Sequence, residues 1–251
     1  MNVRDRLAGF FLNDLLADAP GRAFVLNQAA VAEATDEGRL FDLVLEQVDD
    51  PALAKMVRKH RDDETRHAAM FSACVARQGV DPGELPTDLR LLDVIDRRLG
   101  GFFAKPIEDA LGVMETYLLL QVIEERALHQ FSLLEAAMRR HDPETADVIA
   151  QIAADERRHL RYCHAIARRY APDPLTQAET LARFRLVEAR AFQEHSRRNM
   201  AHMLDHGLVR SKVRTALWRA VATLTARSDE LPLTEFATAT PLDRAPLAAA
   251  A

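Results

Sequence analysis

The sequence is poor in aromatic residues, cysteine and long apolar runs, and each shortage excludes a class of protein. Aromatic residues make up 6% of the 251, and Ala, Leu, Arg and Glu dominate, which favours helices over strands. No apolar run approaches the ~18 residues that a membrane-spanning helix needs. The two cysteines, Cys74 and Cys163, form no CxxC motif, so we expect neither a disulfide framework nor a rubredoxin-type iron site. The sequence predicts an all-α protein with no membrane span and a reduced, cytoplasmic location.

The charge balance is also informative. The formal net charge is −5, which argues against a nucleic-acid-binding protein. Between residues 180 and 227, however, ten basic residues stand against three acidic ones. Such a segment could bind an anionic or carrier-bound substrate, or an acidic electron donor.

Helix signals divide the chain into four long helices with shorter helices at both ends. Proline and acidic residues in "DDP", "HDPET" and "APDP" mark helix starts. The periodicity predicts a short helix at 2–17, which "PGR" ends, then long helices at 23–48, 51–77, 107–140 and 143–170, and two further helices at 175–206 and 209–227. We expect a single domain over residues 1–227, with its core at 23–170 and accessory helices at 175–227, followed by a flexible tail at 228–251.

The connections between the long helices constrain their arrangement. The first and second long helices are joined by a short turn, and so are the third and fourth, so each pair should be antiparallel. Residues 79–106 carry several Gly and Pro residues and one short helical piece. This connection is long enough to cross the length of a bundle.

A five-residue motif occurs twice in the predicted long helices. The first copy is Asp63-Glu64-Thr65-Arg66-His67, and the second is Asp155-Glu156-Arg157-Arg158-His159, which lies 156 − 64 = 92 residues later. Residues i and i+3 share a helix face, so the Glu and His of each copy can point at one spot. Carboxylates and imidazoles are costly to bury without a partner. The duplicated pair therefore indicates a cation between the two copies.

The same offset selects two glutamates further upstream. Glu33 lies 31 residues before Glu64, and Glu125 lies 31 residues before Glu156. The neighbouring Glu124 also has apolar residues on its face and is not excluded. Four carboxylates and two imidazoles suit a pair of iron or manganese ions better than zinc. The candidate ligands are Glu33, Glu64, His67, Glu125, Glu156 and His159.

These residues resemble the ligand pattern of the ferritin-like non-haem di-iron carboxylate proteins, in which two helices each give one Glu and two give Glu-x-x-His. The likeness covers about residues 23–170. The full motif is similar to that of bacterial multicomponent monooxygenase hydroxylases and acyl-carrier-protein desaturases. The resemblance implies a ferritin-like four-helix bundle with one long crossover, and a cofactor of two iron ions, with a Mn/Fe pair as the alternative.

The resemblance also implies roles for the residues that flank the ligands. Asp63 would orient His159, and Asp155 would orient His67, because a ligand imidazole needs its second nitrogen held in place. Arg66 and Arg158 would pair with these two aspartates.

Three further residues lie one helical turn from a candidate ligand: Glu37 after Glu33, His129 after Glu125, and His60 before Glu64. Each is a candidate extra ligand or proton carrier. The alternative is a polar residue near the bundle that has no role at the metals.

The expected function is that of a di-iron oxygenase or oxidase, which activates dioxygen to hydroxylate, desaturate or N-oxidise a small organic substrate. The second Glu-x-x-His motif is intact, no rubredoxin module is present, and about 80 residues follow the fourth long helix. A ferredoxin or flavin reductase would supply electrons. The last two helices could cover a substrate pocket or form a homodimer interface. The alternative is a ferroxidase or a rubrerythrin-like peroxidase.

Overall fold

The computed structural model describes residues 3–34 and 37–228, and within these ranges it is all-α. The predicted class is therefore confirmed. The nine α-helices of the described ranges are α1 Val3–Leu15, α2 Ala19–Ala34, α3 Glu37–Gln47, α4 Pro51–Arg77, α5 Leu91–Arg98, α6 Ala110–Met138, α7 Pro143–Tyr170, α8 Pro174–Asp205 and α9 Lys212–Ser228. The predicted tail at 228–251 lies outside the described residues, apart from Ser228.

Three of the long helices begin with the same N-terminal cap, an aspartate followed by a proline. Asp50, Asp142 and Asp173 each precede a proline, and each accepts hydrogen bonds from backbone N–H groups in the first turn of α4, α7 and α8. The carboxylate satisfies N–H groups that have no partner within the helix, and proline is tolerated there because its missing N–H would be unpaired anyway. The sequence therefore places these starts correctly.

The first predicted long helix differs most from the structure. It begins earlier, because Pro20 and Gly21 lie in the first turn of α2 and do not break a helix. A Cβ at residue 21 would lie 1.9 Å from the carbonyl oxygen of Leu15, so only glycine allows the end of α1 to lie this close. The expected helix 23–48 contains α2 from residue 23 onwards and α3, and residues 35 and 36 between them lie outside the described residues.

The long helices α2, α4, α6 and α7 pack as a helical bundle, and α1, α8 and α9 pack outside it. Two apolar clusters fill the bundle. Tyr117 and Cys163 belong to the first, and Phe71 and Phe131 to the second. Along α4, α6 and α7, the segments of these two clusters are separated by a short stretch of buried Glu and His residues. A polar layer therefore lies across the middle of an apolar bundle.

No helix in the described ranges is both long enough and apolar enough to cross a membrane.

Candidate metal centre

The two copies of the repeated motif face each other across α4 and α7. Nε2 of His159 lies 3.3 Å from Oδ2 of Asp63, and Nε2 of His67 lies 3.3 Å from Oδ2 of Asp155. As the position in α4 rises from 63 to 67, its partner in α7 falls from 159 to 155, so the two helices are antiparallel. The structure thus brings together both Asp–His pairs that the resemblance implied.

The two arginines of the motif surround the same aspartates. Arg158 lies 2.7 Å from Asp63 and 2.6 Å from Asp155, and Arg66 also contacts both carboxylates. Burial alone would raise the pKa of Asp63, but its bonds to Lys59, Arg158 and His159 lower it below the ordinary value. Asp63 is therefore an ionised acceptor that fixes the orientation of an imidazole.

With Nε2 held by an aspartate, Nδ1 of each histidine points at the glutamates. Nδ1 of His67 lies 3.0 Å from Oε1 of Glu156, and Nδ1 of His159 lies 2.8 Å from Oε2 of the same carboxylate. Glu64 is also shared, at 3.0 Å from Nδ1 of His159 and 3.9 Å from Nδ1 of His67. Glu64 and Glu156 therefore lie between the two imidazoles.

Among the residues that the structure describes, two groups of buried side chains could each hold a metal ion. In each group the nearest ligand atoms all lie within 4.8 Å of one another. The first group, which we call position A, is Glu33, Glu64, His67 and Glu156; the second, position B, is His60, Glu64, Glu124 and His159.

The chemistry of these atoms suits cations. The side chains of all seven residues are at most 8% exposed. Nδ1 of His67, Oε1 of Glu64 and Oε1 of Glu156 are buried but make no hydrogen bond within the described part of the chain. Buried polar atoms without partners are costly, and convergent carboxylate and imidazole lone pairs are suitable ligands for first-row metals.

Without a cation, the site would hold protons in its place. Burial and the charge of Glu64 raise the pKa of Glu33 well above its ordinary value, and burial and the charge of Glu156 do the same for Glu124. Burial opposes the charged form of both motif histidines, but their carboxylate partners outweigh it and raise the pKa of His67 to about 12 and of His159 to about 9. We call Glu33, Glu124, His67 and His159 the four proton-holding ligands.

The structure places Glu124 in the site, and not Glu125 as the repeat predicted. Oε1 of Glu124 lies 2.8 Å from Nε2 of His60. Glu125 instead forms a two-pronged ion pair with Arg185 of α8, at 2.8 and 3.2 Å, and accepts a hydrogen bond from Gln121. One residue along a helix turns the side chain by about 100°, so Glu125 faces α8 while Glu124 faces α4 and α7.

Of the three candidate extra residues, the structure brings one to the site. His60 is fully buried, stacks on the ring of His159 at a centroid distance of 4.0 Å, and lies 3.2 Å from Oε1 of Glu64. His129 is 42% exposed and pairs with Asp5 of α1, so it does not belong to the cluster. The side chain of Glu37 lies outside the described residues.

His60 was detectable from sequence only by its position one turn before Glu64 on the same helix face. The repeat does not mark it, because the equivalent residue 92 positions later is Ile152, which packs in the second apolar cluster. Burial lowers the pKa of His60, although Glu64 opposes the shift. His60 is therefore a neutral imidazole, the form that binds metals.

Comparison with known proteins assigns the chain to no family: no family model matches it, and no curated protein or solved structure is significantly similar.

Proposed function

We propose that this chain is a ferritin-like di-iron carboxylate protein that uses dioxygen to oxidise a small organic molecule. The observation that carries the proposal is the pair of positions A and B, which share Glu64 in the buried centre of a helical bundle. Each position has its own histidine and its own further glutamate. Two-metal carboxylate sites in helical bundles combine shared and separate ligands in this way.

The arrangement of the helices supports a ferritin-like connectivity. Helices α6 and α7 pack together and are joined by a turn of four residues, 139–142, so they are antiparallel neighbours. Because α4 is also antiparallel to α7, α4 and α6 are parallel. The connection at 78–109 must then return along the bundle, which is the single long crossover of this architecture.

In the proposed centre, each residue has a defined task. Glu33 and His67 would hold a metal in position A, and Glu124 and His159 would hold a metal in position B. Glu64 and Glu156 lie between the two histidines. His60 adds a third nitrogen to the cluster, on the side of position B. Two bound iron ions would supply the redox chemistry that activates dioxygen. Asp63, Asp155 and the paired arginines would keep both imidazoles in the correct tautomer, and the apolar clusters on both sides would keep bulk water out.

The charge balance also supports two divalent ions. Four ionised glutamates carry a total charge of −4, which two divalent cations neutralise without help from other groups. A buried site is most stable when its charges are compensated in this way.

An organic substrate is favoured over ferrous iron by what surrounds the bundle. Helices α8 and α9 extend the chain by two elements beyond the four that hold the ligands. Three ion pairs or hydrogen-bonded pairs join α6 to α8, at Glu115–Arg183, Glu125–Arg185 and Arg126–Glu188. Helix α8 therefore covers the side of α6 that carries Glu125. This additional cover over the bundle supports an enclosed site for a small organic molecule.

The test is an anaerobic ferrous titration of metal-free protein, followed by a pulse of dioxygen read in the visible range. We expect saturation near two irons per chain and an oxidised absorption that does not grow when more ferrous iron is added. Glu64→Ala should abolish this uptake, because Glu64 serves both positions, whereas the surface control Glu135→Ala should not change it.

Two results would contradict the proposal. Continued oxidation of many irons per chain would assign the chain to the ferroxidases instead. Equal uptake by the wild type and by Glu64→Ala would mean that the iron binds elsewhere.

A further inference from the structure

A second, separate site lies between the bundle and the outer helices. A cavity of about 360 Å³ opens between α1, α8 and α9 and reaches α2 and α6 at its base. This volume is within the ~300–1,000 Å³ range of small-molecule pockets. An apolar cavity of about 150 Å³ holds one benzene, so by proportion this cavity holds roughly 14 non-hydrogen atoms.

The cavity does not belong to the metal centre. Its bundle wall contains Gln28 of α2 and Gln130 of α6, which lie five and six residues from Glu33 and Glu124. At 1.5 Å per residue these are separations of about 8–9 Å along the helices, and none of the seven cluster residues lines the cavity. The cavity is therefore independent of the proposed di-iron chemistry.

The walls are mostly apolar. Leu12 and Leu15 of α1, Met203 of α8 and Trp218 and Val221 of α9 line it. Leu7, next to these residues in α1, is 37% exposed, so apolar surface continues to the cavity mouth. Such a surface gains free energy by covering an apolar ligand.

The polar groups inside the cavity carry no negative charge. Asn199 accepts a hydrogen bond from Gln28 and contacts the ring of His195, so these amides are already engaged. Burial lowers the pKa of His195 to about 4, so its imidazole is neutral at pH 7. Among the residues that the structure describes, no aspartate or glutamate lines the cavity.

A cationic side chain, Arg197, lies at the edge of the cavity. Arg197 lines the cavity and is exposed, and it forms no ion pair within the described part of the chain. Its neighbour Arg198, in contrast, is held by Glu194 and Asp88. Among the described residues nothing therefore neutralises Arg197, and its exposed guanidinium can bind an anion from solvent.

We propose that this cavity binds a medium-chain aliphatic carboxylate of about 12–14 non-hydrogen atoms. The hydrocarbon chain lies between α1, α8 and α9, and the carboxylate pairs with Arg197 at the mouth. Apolar walls, a neutral interior and, among the described lining residues, one cation without an ion pair select this combination of tail and head group. An amphiphile with a cationic head would meet Arg197 with like charge.

The fluorescence of Trp218 reports directly on whether a ligand occupies the cavity, because Trp218 lines the cavity and is the single tryptophan of the chain. The experiment is a fluorescence titration of the full chain with dodecanoate below its micelle concentration, repeated with dodecanol and dodecyltrimethylammonium. We expect a saturable change at one ligand per chain. Dodecanoate should bind about tenfold more tightly than the cationic amphiphile, with dodecanol between them.

Three variants sharpen the titration. Arg197→Gln should weaken dodecanoate binding about fivefold and leave dodecanol binding unchanged, as expected for a partly exposed ion pair. Arg190→Gln is the matched control, because Arg190 is an exposed arginine of the same helix that does not line the cavity. Ala8→Phe fills the space from the α1 side and should abolish binding. Arg197 is a surface residue, so its variant remains informative even if Ala8→Phe does not fold.

The proposal is overturned by any of three outcomes. The first is the absence of saturable binding. The second is equal affinity for all three amphiphiles together with no effect of Arg197→Gln, which would mean unspecific adsorption. The third is dodecanoate binding only after residues 229–251 are removed, which would mean that the chain's own tail is the occupant. None of these outcomes depends on metal content, so failure here is distinct from failure of the di-iron proposal.

Discussion

Two adjacent glutamates of α6 should respond to the same substitution in opposite ways. Glu124 lies in position B with its carboxylate against His60, whereas Glu125 pairs with Arg185 on the other side of the helix. Changing each to glutamine removes one negative charge with almost no change of volume. Glu124→Gln and Glu125→Gln are therefore matched controls for each other.

The stability of the metal-free protein should fall in only one of the two variants. The side chains of Glu125 and Arg185 are 8% and 10% exposed, and breaking a buried ion pair costs about 3–5 kcal/mol. We take about 2–3 kcal/mol, since Gln121 and other contacts remain. At about 2–4 °C per kcal/mol for a chain of this size, the Tm of Glu125→Gln should drop by roughly 5–10 °C. Glu124 has a raised pKa and is largely protonated without metal, so Glu124→Gln should shift the Tm by less than about 2 °C.

Metal binding should show the reverse. Glu124→Gln removes a ligand from position B, so the number of tightly held irons should fall from two towards one per chain. Glu125→Gln should keep both. The assay is elemental analysis after desalting, combined with thermal unfolding of the metal-free protein followed by circular dichroism.

The opposite pattern would refute this reading of α6. In that case Glu125→Gln would lose metal and keep its Tm, while Glu124→Gln would keep both metals. Glu125, which the offset of 92 residues selects, would then be the ligand, and the orientation of α6 that points Glu124 at the cluster would be wrong.

Three further perturbations test the centre. Two divalent ions should displace up to four protons from the four proton-holding ligands, so metal binding should strengthen as pH rises. Calorimetry in two buffers of different ionisation heat measures the number of protons released. A count of zero would contradict the raised pKa values. Asp155→Asn should weaken metal binding about 10–100-fold, because His67 loses the acceptor that fixes its ring; chelator competition measures this, and unchanged affinity would remove the role of Asp155. His60→Ala should weaken the binding of only one of the two iron ions, whereas His129→Ala should weaken the binding of neither. Equal effects of the two variants would exclude His60 from position B.

The repeated motif was predictable because its signal is local. Residues three apart must share a helix face, so Glu64 with His67, and Glu156 with His159, could be paired from spacing alone. The reciprocal contacts of Asp63 with His159 and of Asp155 with His67 were expected from the resemblance alone, and they form because α4 and α7 are antiparallel neighbours.

The position of Glu124 was not predictable in the same way. Both glutamates have apolar neighbours, and the choice between them depends on Arg185, which is 60 residues away in sequence. The repeat selected Glu125, whereas the structure brings Glu124 to the cluster, because α8 packs against α6 and places Arg185 beside Glu125. A long-range ion pair of this kind leaves no periodic signal in the sequence.

The central claim is that two metal ions lie side by side between α4 and α7. Anomalous diffraction at the iron edge, from crystals of iron-loaded protein, tests it most directly. The account predicts two peaks about 3.5–4 Å apart, one against Glu33 and His67 and the other against Glu124 and His159, with Glu64 contacting both. A single peak, or peaks outside this layer of buried Glu and His residues, would contradict it.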